Sequence, residues 1–224
     1  MSRNLRTLVL TGCLASQPLL AQPGPASLTP QQTYDLYARA FINGDSSSIG
    51  TINDSMRTAM DGEDLLSTDA VSEMHADLRD AIQQDSLTLM GKRHATLTGY
   101  ADRVADLAVQ ALRDVQCQAT SSRLAPDEDD ASQQDAWVSF RCEVPARSAD
   151  LLQTLRKVAR SNDLPRLKAG LDDYLASLQN APLRPMTGTF LLYPARDGQY
   201  WYNGDPGEVA NAVVQAIYPG LPDD

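Results

Sequence analysis

The chain has 224 residues, a formal net charge of −10, two histidines and three cysteines. Its length suits one domain with a sizeable core, and its acid excess argues against a nucleic-acid partner, which needs a basic face. Apart from the N-terminal run, no stretch approaches the ~20 apolar residues of a membrane helix, so no transmembrane segment is expected.

At the N-terminus Arg3 and Arg6 precede a mostly apolar run from Leu8 to Ala21, broken at Ser16, Gln17 and Pro18. Residues 1–21 therefore read as a secretory signal, 22–28 as a Pro/Gly/Ser linker and 29–224 as a single domain. Pro18 ends the signal helix ahead of a cut after Ala21. In the alternative, Leu10-Thr11-Gly12-Cys13 is a lipobox, and Cys13 becomes a lipid anchor. Only Thr7 to Leu10 lie between Arg6 and the Thr11-Gly12-Cys13 of that box, and Leu14, Leu19 and Leu20 follow where a lipoprotein turns polar, so the cut after Ala21 is favoured. Both readings place the domain in an oxidising compartment, periplasmic or secreted, where Cys117 and Cys142 can form a disulfide bond.

Thr29-Pro30-Gln31-Gln32 opens a helix. Thr29 can cap it, Pro30 suits its first position and Gln32 completes a capping box. Tyr34, Leu36, Tyr37, Phe41 and Ile42 give an apolar face, and Asn43-Gly44 ends it. A weaker helix is expected from Ser46 to Met60, closed by Gly62. A third is expected from Thr68 to Met90, with Val71, Met74, Leu78 and Ile82 at helical spacing. In the fourth, apolar residues recur every three or four positions from Leu97 to Val115.

The period then changes to two. Val115, Cys117 and Ala119 form one apolar face, and Val138, Phe140, Cys142 and Val144 another. Facing Cys117 to Cys142 in an antiparallel pair sets Ala119 against Phe140 and Ser121 against Val138. The bond closes a loop of about 24 residues, worth on the order of 3 kcal/mol by loop-closure entropy. The acidic Ala125–Asp130 segment between the strands reads as a mobile loop.

Two more helices follow, through Leu151–Ala159 and Leu164–Leu178. A second hairpin reads Thr187 to Ala195, a turn at Arg196-Asp197-Gly198, then Gln199 to Asn203. Facing Arg196 to Gln199 pairs Tyr193 with Tyr202 and Pro194 with Trp201. Pro194 marks this strand as an edge, or as bulged near its end. Pro206-Gly207-Glu208 opens a last helix, with Asp205 as its cap. The fold class is α+β: a helix-rich single domain with a small antiparallel sheet of about four strands, in two hairpins, packed against helices on one face. Locally, the second hairpin resembles the closing hairpin of small exported NTF2-like proteins, where an Asp-Gly turn precedes an aromatic strand. The likeness stops at that hairpin, since the four N-terminal helices depart from the pattern, and no function is carried over from it.

Chemistry-bearing motifs are sparse. His75 and His94 read as surface helical histidines without a zinc-ligand spacing, so neither a metal nor another cofactor is expected. Gly44-Asp45-Ser46 echoes the nucleophile block of GDS-type esterases, but it follows a helix and no histidine base comes later in the chain. Five aromatics, Phe190, Tyr193, Tyr200, Trp201 and Tyr202, fall in one hairpin, in a chain with only two Trp, eight Tyr and three Phe. They read as core, or as a binding face using Tyr193, Tyr200, Trp201 and Tyr202. The expected function is that of an exported, non-catalytic binding protein of the bacterial envelope. A basic protein is the expected partner, as for an inhibitor or immunity-type protein. The alternatives are a small-molecule binder with its pocket on the tyrosine face, or a hydrolase using two carboxylates in a cleft.

Overall fold

The computed structural model describes residues 27–217 apart from 68, 91–93, 128–129, 147–148, 160–162 and 196–198. The readings placed on the signal, on Cys13, on most of the linker and on the Asp-Gly turn lie outside the described residues, as does the side chain of His94.

The N-terminal cap forms as its chemistry dictates. Thr29 Oγ1 accepts from the Gln32 backbone N–H, and the Gln32 side chain accepts from the Thr29 N–H. Helix α1 (Pro30–Tyr37) then widens into a π-helical turn, Ala38–Ile42. Gly44, at φ +75°, turns the chain, and its N–H closes on the Ala40 carbonyl. Asp45 caps α2 (Ser46–Met56) through its own side chain. The Gly-Asp-Ser block is thus a helix end followed by a helix start. The stretch expected to remain helical to Met60 instead makes turns from Arg57, reaching Gly62 at φ +94°. Helices α3 (Ala70–Met90) and α4 (His94–Arg113) pack against one another.

Strands β1 (Gln116–Pro126) and β2 (Gln134–Pro145) follow, then helices α5 (Ala149–Ala159) and α6 (Leu164–Gln179). Strands β3 (Leu183–Ala195) and β4 (Tyr200–Tyr202) and helix α7 (Glu208–Ile217) complete the order. The sheet is antiparallel in the order β1-β2-β3-β4. Cys117 faces Cys142 and Ala119 faces Phe140, as the alternation requires. Past Ala119 the register shifts, so Ser121 meets Ser139 and Val138 meets Ser122, not Ser121. A bulge places one extra residue on β1 and returns Ser122 to the inward side.

The acidic loop is smaller than expected. Ala125 and Pro126 belong to β1, and the Asp127 N–H donates to the Gln133 carbonyl. Asp127 and Asp130 accept from the backbone N–H groups of Asp130 and Ser132. Strand β3 starts at Leu183, before Thr187, despite Pro185. Among the described residues, Leu183–Leu192 is paired with β2 alone, and a one-sided stretch tolerates proline. Pro194 lies past Leu192, where β4 replaces β2 as the partner.

Helix α1 lies along β1, and α7 packs on β2. Ala136, Val138, Phe140, Cys142 and Val144 of β2 face this helical layer with Phe190 and Leu192 of β3, all buried. A second core cluster joins Ile82, Leu97, Ala101 and Val104 to Leu155, Leu167, Leu171 and Leu175 of α5 and α6. Leu78 packs against both clusters.

Candidate functional site

The aromatic hairpin has the expected register, Tyr193 with Tyr202 and Pro194 with Trp201. Tyr200, Trp201 and Tyr202 are half-buried and pack against the main core, and Phe190 is fully within it. The Tyr193 and Tyr202 rings lie 6.0 Å apart. Asn203, which sequence reasoning passed over, ties the hairpin together. Its side chain donates to the Leu191 carbonyl at 2.7 Å and accepts from the Asp205 N–H at 2.6 Å. The Asn203 N–H points at the Tyr37 hydroxyl, 3.4 Å away. Burial pushes that phenol up to about 12, against the pull of the Asn203 bond.

Cys117 and Cys142 are bonded across β1 and β2, with Cα atoms 4.0 Å apart. Cys142 is wholly buried among the inward residues of β2, so this bridge is a staple within the sheet rather than an exposed redox pair.

His75 is not a surface residue: it is only 2% exposed. It shares a helical face with Val71, Leu78 and Ile82, and that spacing was the missed signal. Its Nε2 lies 3.1 Å from the Phe41 carbonyl. A carbonyl only accepts, so Nε2 carries the proton. Its Nδ1 then accepts from Arg113 Nε at 3.3 Å. Burial holds the imidazole below its ordinary value, the Phe41 bond opposes this, and the Arg113 charge adds to it. The close fit extends to Gly44, where a Cβ would stand 3.1 Å from the imidazole. An open cleft of about 390 Å³ over this point is lined by Ser72, Arg79, Asp106, Gln110 and Arg113. Arg79 is paired with Asp106 at 2.8 Å and lies 3.8 Å from Asp102.

A second cleft, of about 300 Å³, lies on the other flank of α4. Its walls are Leu107, Ala111, Val115, Pro145, Leu178 and Leu183. Asp114 and Glu143 also line it. Asp114 Oδ1 accepts from the Gln110 side chain at 2.9 Å. Glu143 Oε1 takes both Nε and Nη2 of Arg141, at 3.0 and 2.7 Å. Two helices end here, α4 at Arg113 and α6 at Gln179, and helix C-termini carry partial negative charge.

Neither cleft includes Tyr193, Tyr200, Trp201 or Tyr202. Among the described residues, no three His, Cys, Asp or Glu side chains converge to hold a metal ion, and no helix is long and apolar enough to cross a membrane. No protein-family model, curated protein or solved structure matches the chain.

Proposed function

We propose that this is an exported, non-catalytic binding protein of the bacterial envelope whose partner is a basic protein, as for an inhibitor or immunity-type protein. The carrying observation is the acidic surface of α3 and α4, whose exposed positions include Glu73, Asp77, Asp80 and Asp106, with Asp114 just past α4. Arg79 pairs with Asp80 and Asp106, and Arg103 and Arg113 are exposed cations of α4. With the chain's acid excess, such a surface speeds encounter with a positive partner and disfavours negative ones. The bonded cysteine pair supports export, since structural disulfides persist in oxidising compartments.

The site chemistry supports binding over catalysis. Both ring nitrogens of His75 are engaged within the fold. Asp114 and Glu143 share a cleft, as the carboxylate-hydrolase alternative requires. However, the Glu143 side chain is 38% exposed and tied to Arg141, and Asp114 is exposed. A carboxyl kept as a general acid needs a drier seat.

The test is capture on the immobilised, oxidised protein from an envelope extract. A basic protein should bind at low ionic strength and leave as salt shortens the reach of the charges. Absence of any salt-sensitive partner overturns the reading.

A further inference from the structure

We propose that the cleft between the C-terminal ends of α4 and α6 and the adjoining ends of β2 and β3 seats one basic side chain, a lysine or an arginine, of the partner protein. This rests on the reading above and names the contact through which such a partner is anchored.

The cleft combines two features that an amphipathic cation satisfies together. Its walls are apolar, from Leu107 and Ala111 of α4 to Leu178 of α6 and Leu183 of β3. Its polar lining carries two carboxylates, Asp114 and Glu143, beside the neutral amides of Gln110 and Gln179, and the C-terminal ends of two helices add negative potential. Lysine and arginine carry a long apolar stem and a charged head, and lay the stem on apolar surface while the head reaches polar groups. A bare divalent cation gains nothing from those walls and takes six or more oxygen ligands. A neutral apolar group would strip water from two carboxylates without repaying it. The volume of about 300 Å³ lies at the small end of ligand sites and suits one long side chain rather than an extended ligand.

Two details rank the contributors. Glu143 is already bonded to Arg141 through Oε1. Among the described residues, the Asp114 carboxylate accepts from the neutral amide of Gln110 and forms no ion pair. The larger share of the attraction therefore belongs to Asp114. Leu183 at the rim is 65% exposed, a large apolar side chain left open to water, and an entering stem covers it.

The experiment titrates the full, oxidised chain with n-butylguanidinium and n-butylammonium, which are the two side-chain heads on short stems. The neutral control is n-butanol, and binding is followed by backbone amide shifts. The cations should move the amides of Leu107, Ala111, Leu178 and Leu183 together. Asp114→Asn should weaken them by about fivefold and Glu143→Gln by less, while Glu63→Gln, at an exposed position outside the cleft, leaves them unchanged. Three results overturn the assignment: shifts scattered over the acidic surface, equal shifts with n-butanol, or equal weakening by Glu63→Gln. If the envelope extract yields a basic partner that Asp114→Asn binds undiminished, the cleft assignment fails and the functional reading stands. If no such partner exists, the functional reading fails whatever the cleft binds.

Discussion

His75 sits where α3, α4 and the π-helical turn meet, and it holds them only as a neutral ring. Its Nε2–H donates to Phe41, while its Nδ1 must stay bare to accept from Arg113. Burial, with help from Arg113, depresses its titration in the fold. The unfolded chain therefore takes up the proton first as pH falls. Stability should be fully present above the ordinary value of 6.5 and decline below it, until the folded imidazole also protonates. Urea midpoints between pH 7.5 and pH 5 check this. His75→Gln, which keeps one donor and one acceptor, should flatten that slope, and an unchanged slope contradicts the assignment. Tyr34 poses a different problem. Its ring stacks on Phe140 with centroids 5.0 Å apart, yet its buried hydroxyl has no hydrogen-bond partner among the described residues. Burial pushes the phenol well above its ordinary range. Tyr34→Phe should be neutral or stabilising by about 1 kcal/mol in urea denaturation. A loss of similar size would contradict an unsatisfied hydroxyl.

Among the elements, sequence pattern was most informative where a single periodicity ran unbroken. The alternation along β1 and β2 pointed to the cysteine pair, and the Asp-Gly signal in the sequence pointed to the pairing of Tyr193 with Tyr202. What it could not show was the bulge, because Ser121 and Ser122 fit either side of the strand equally well. It also missed His75, since a histidine on an apolar face does not announce the carbonyl and guanidinium that hold it. Neither could it show the cleft at Asp114 and Glu143, which exists only because α4, α6 and the sheet end meet there.

Gly188 illustrates the packing that fixes the sheet. It lies opposite Phe140, and a Cβ there would stand 2.5 Å from the ring. Phe140 cannot retreat, because it is buried against Tyr34. Gly188→Ala should cost about 1–3 kcal/mol, and no loss at the urea midpoint would contradict the close approach. The Cys117–Cys142 staple acts on the unfolded chain. Replacing both cysteines by alanine should cost on the order of 3 kcal/mol, seen as a Tm lower by roughly 6–12 °C for a domain of this size. An unchanged Tm would mean that the bridge adds nothing to stability.

For the whole molecule, acidity, bridge and N-terminal run support one account, that of an exported and stapled domain which binds a basic protein outside the cytosol. Without export the bridge would face a reducing compartment, and the partner proposed above would be out of reach. Mass spectrometry of the protein isolated from its producing cells, digested with and without reductant, tests this most directly. The account expects a chain that starts at Gln22, or at a lipid-modified Cys13, with the Cys117 and Cys142 peptides joined until reductant is added. A chain that keeps Met1 through Ala21, with both thiols open to alkylation before reduction, contradicts it.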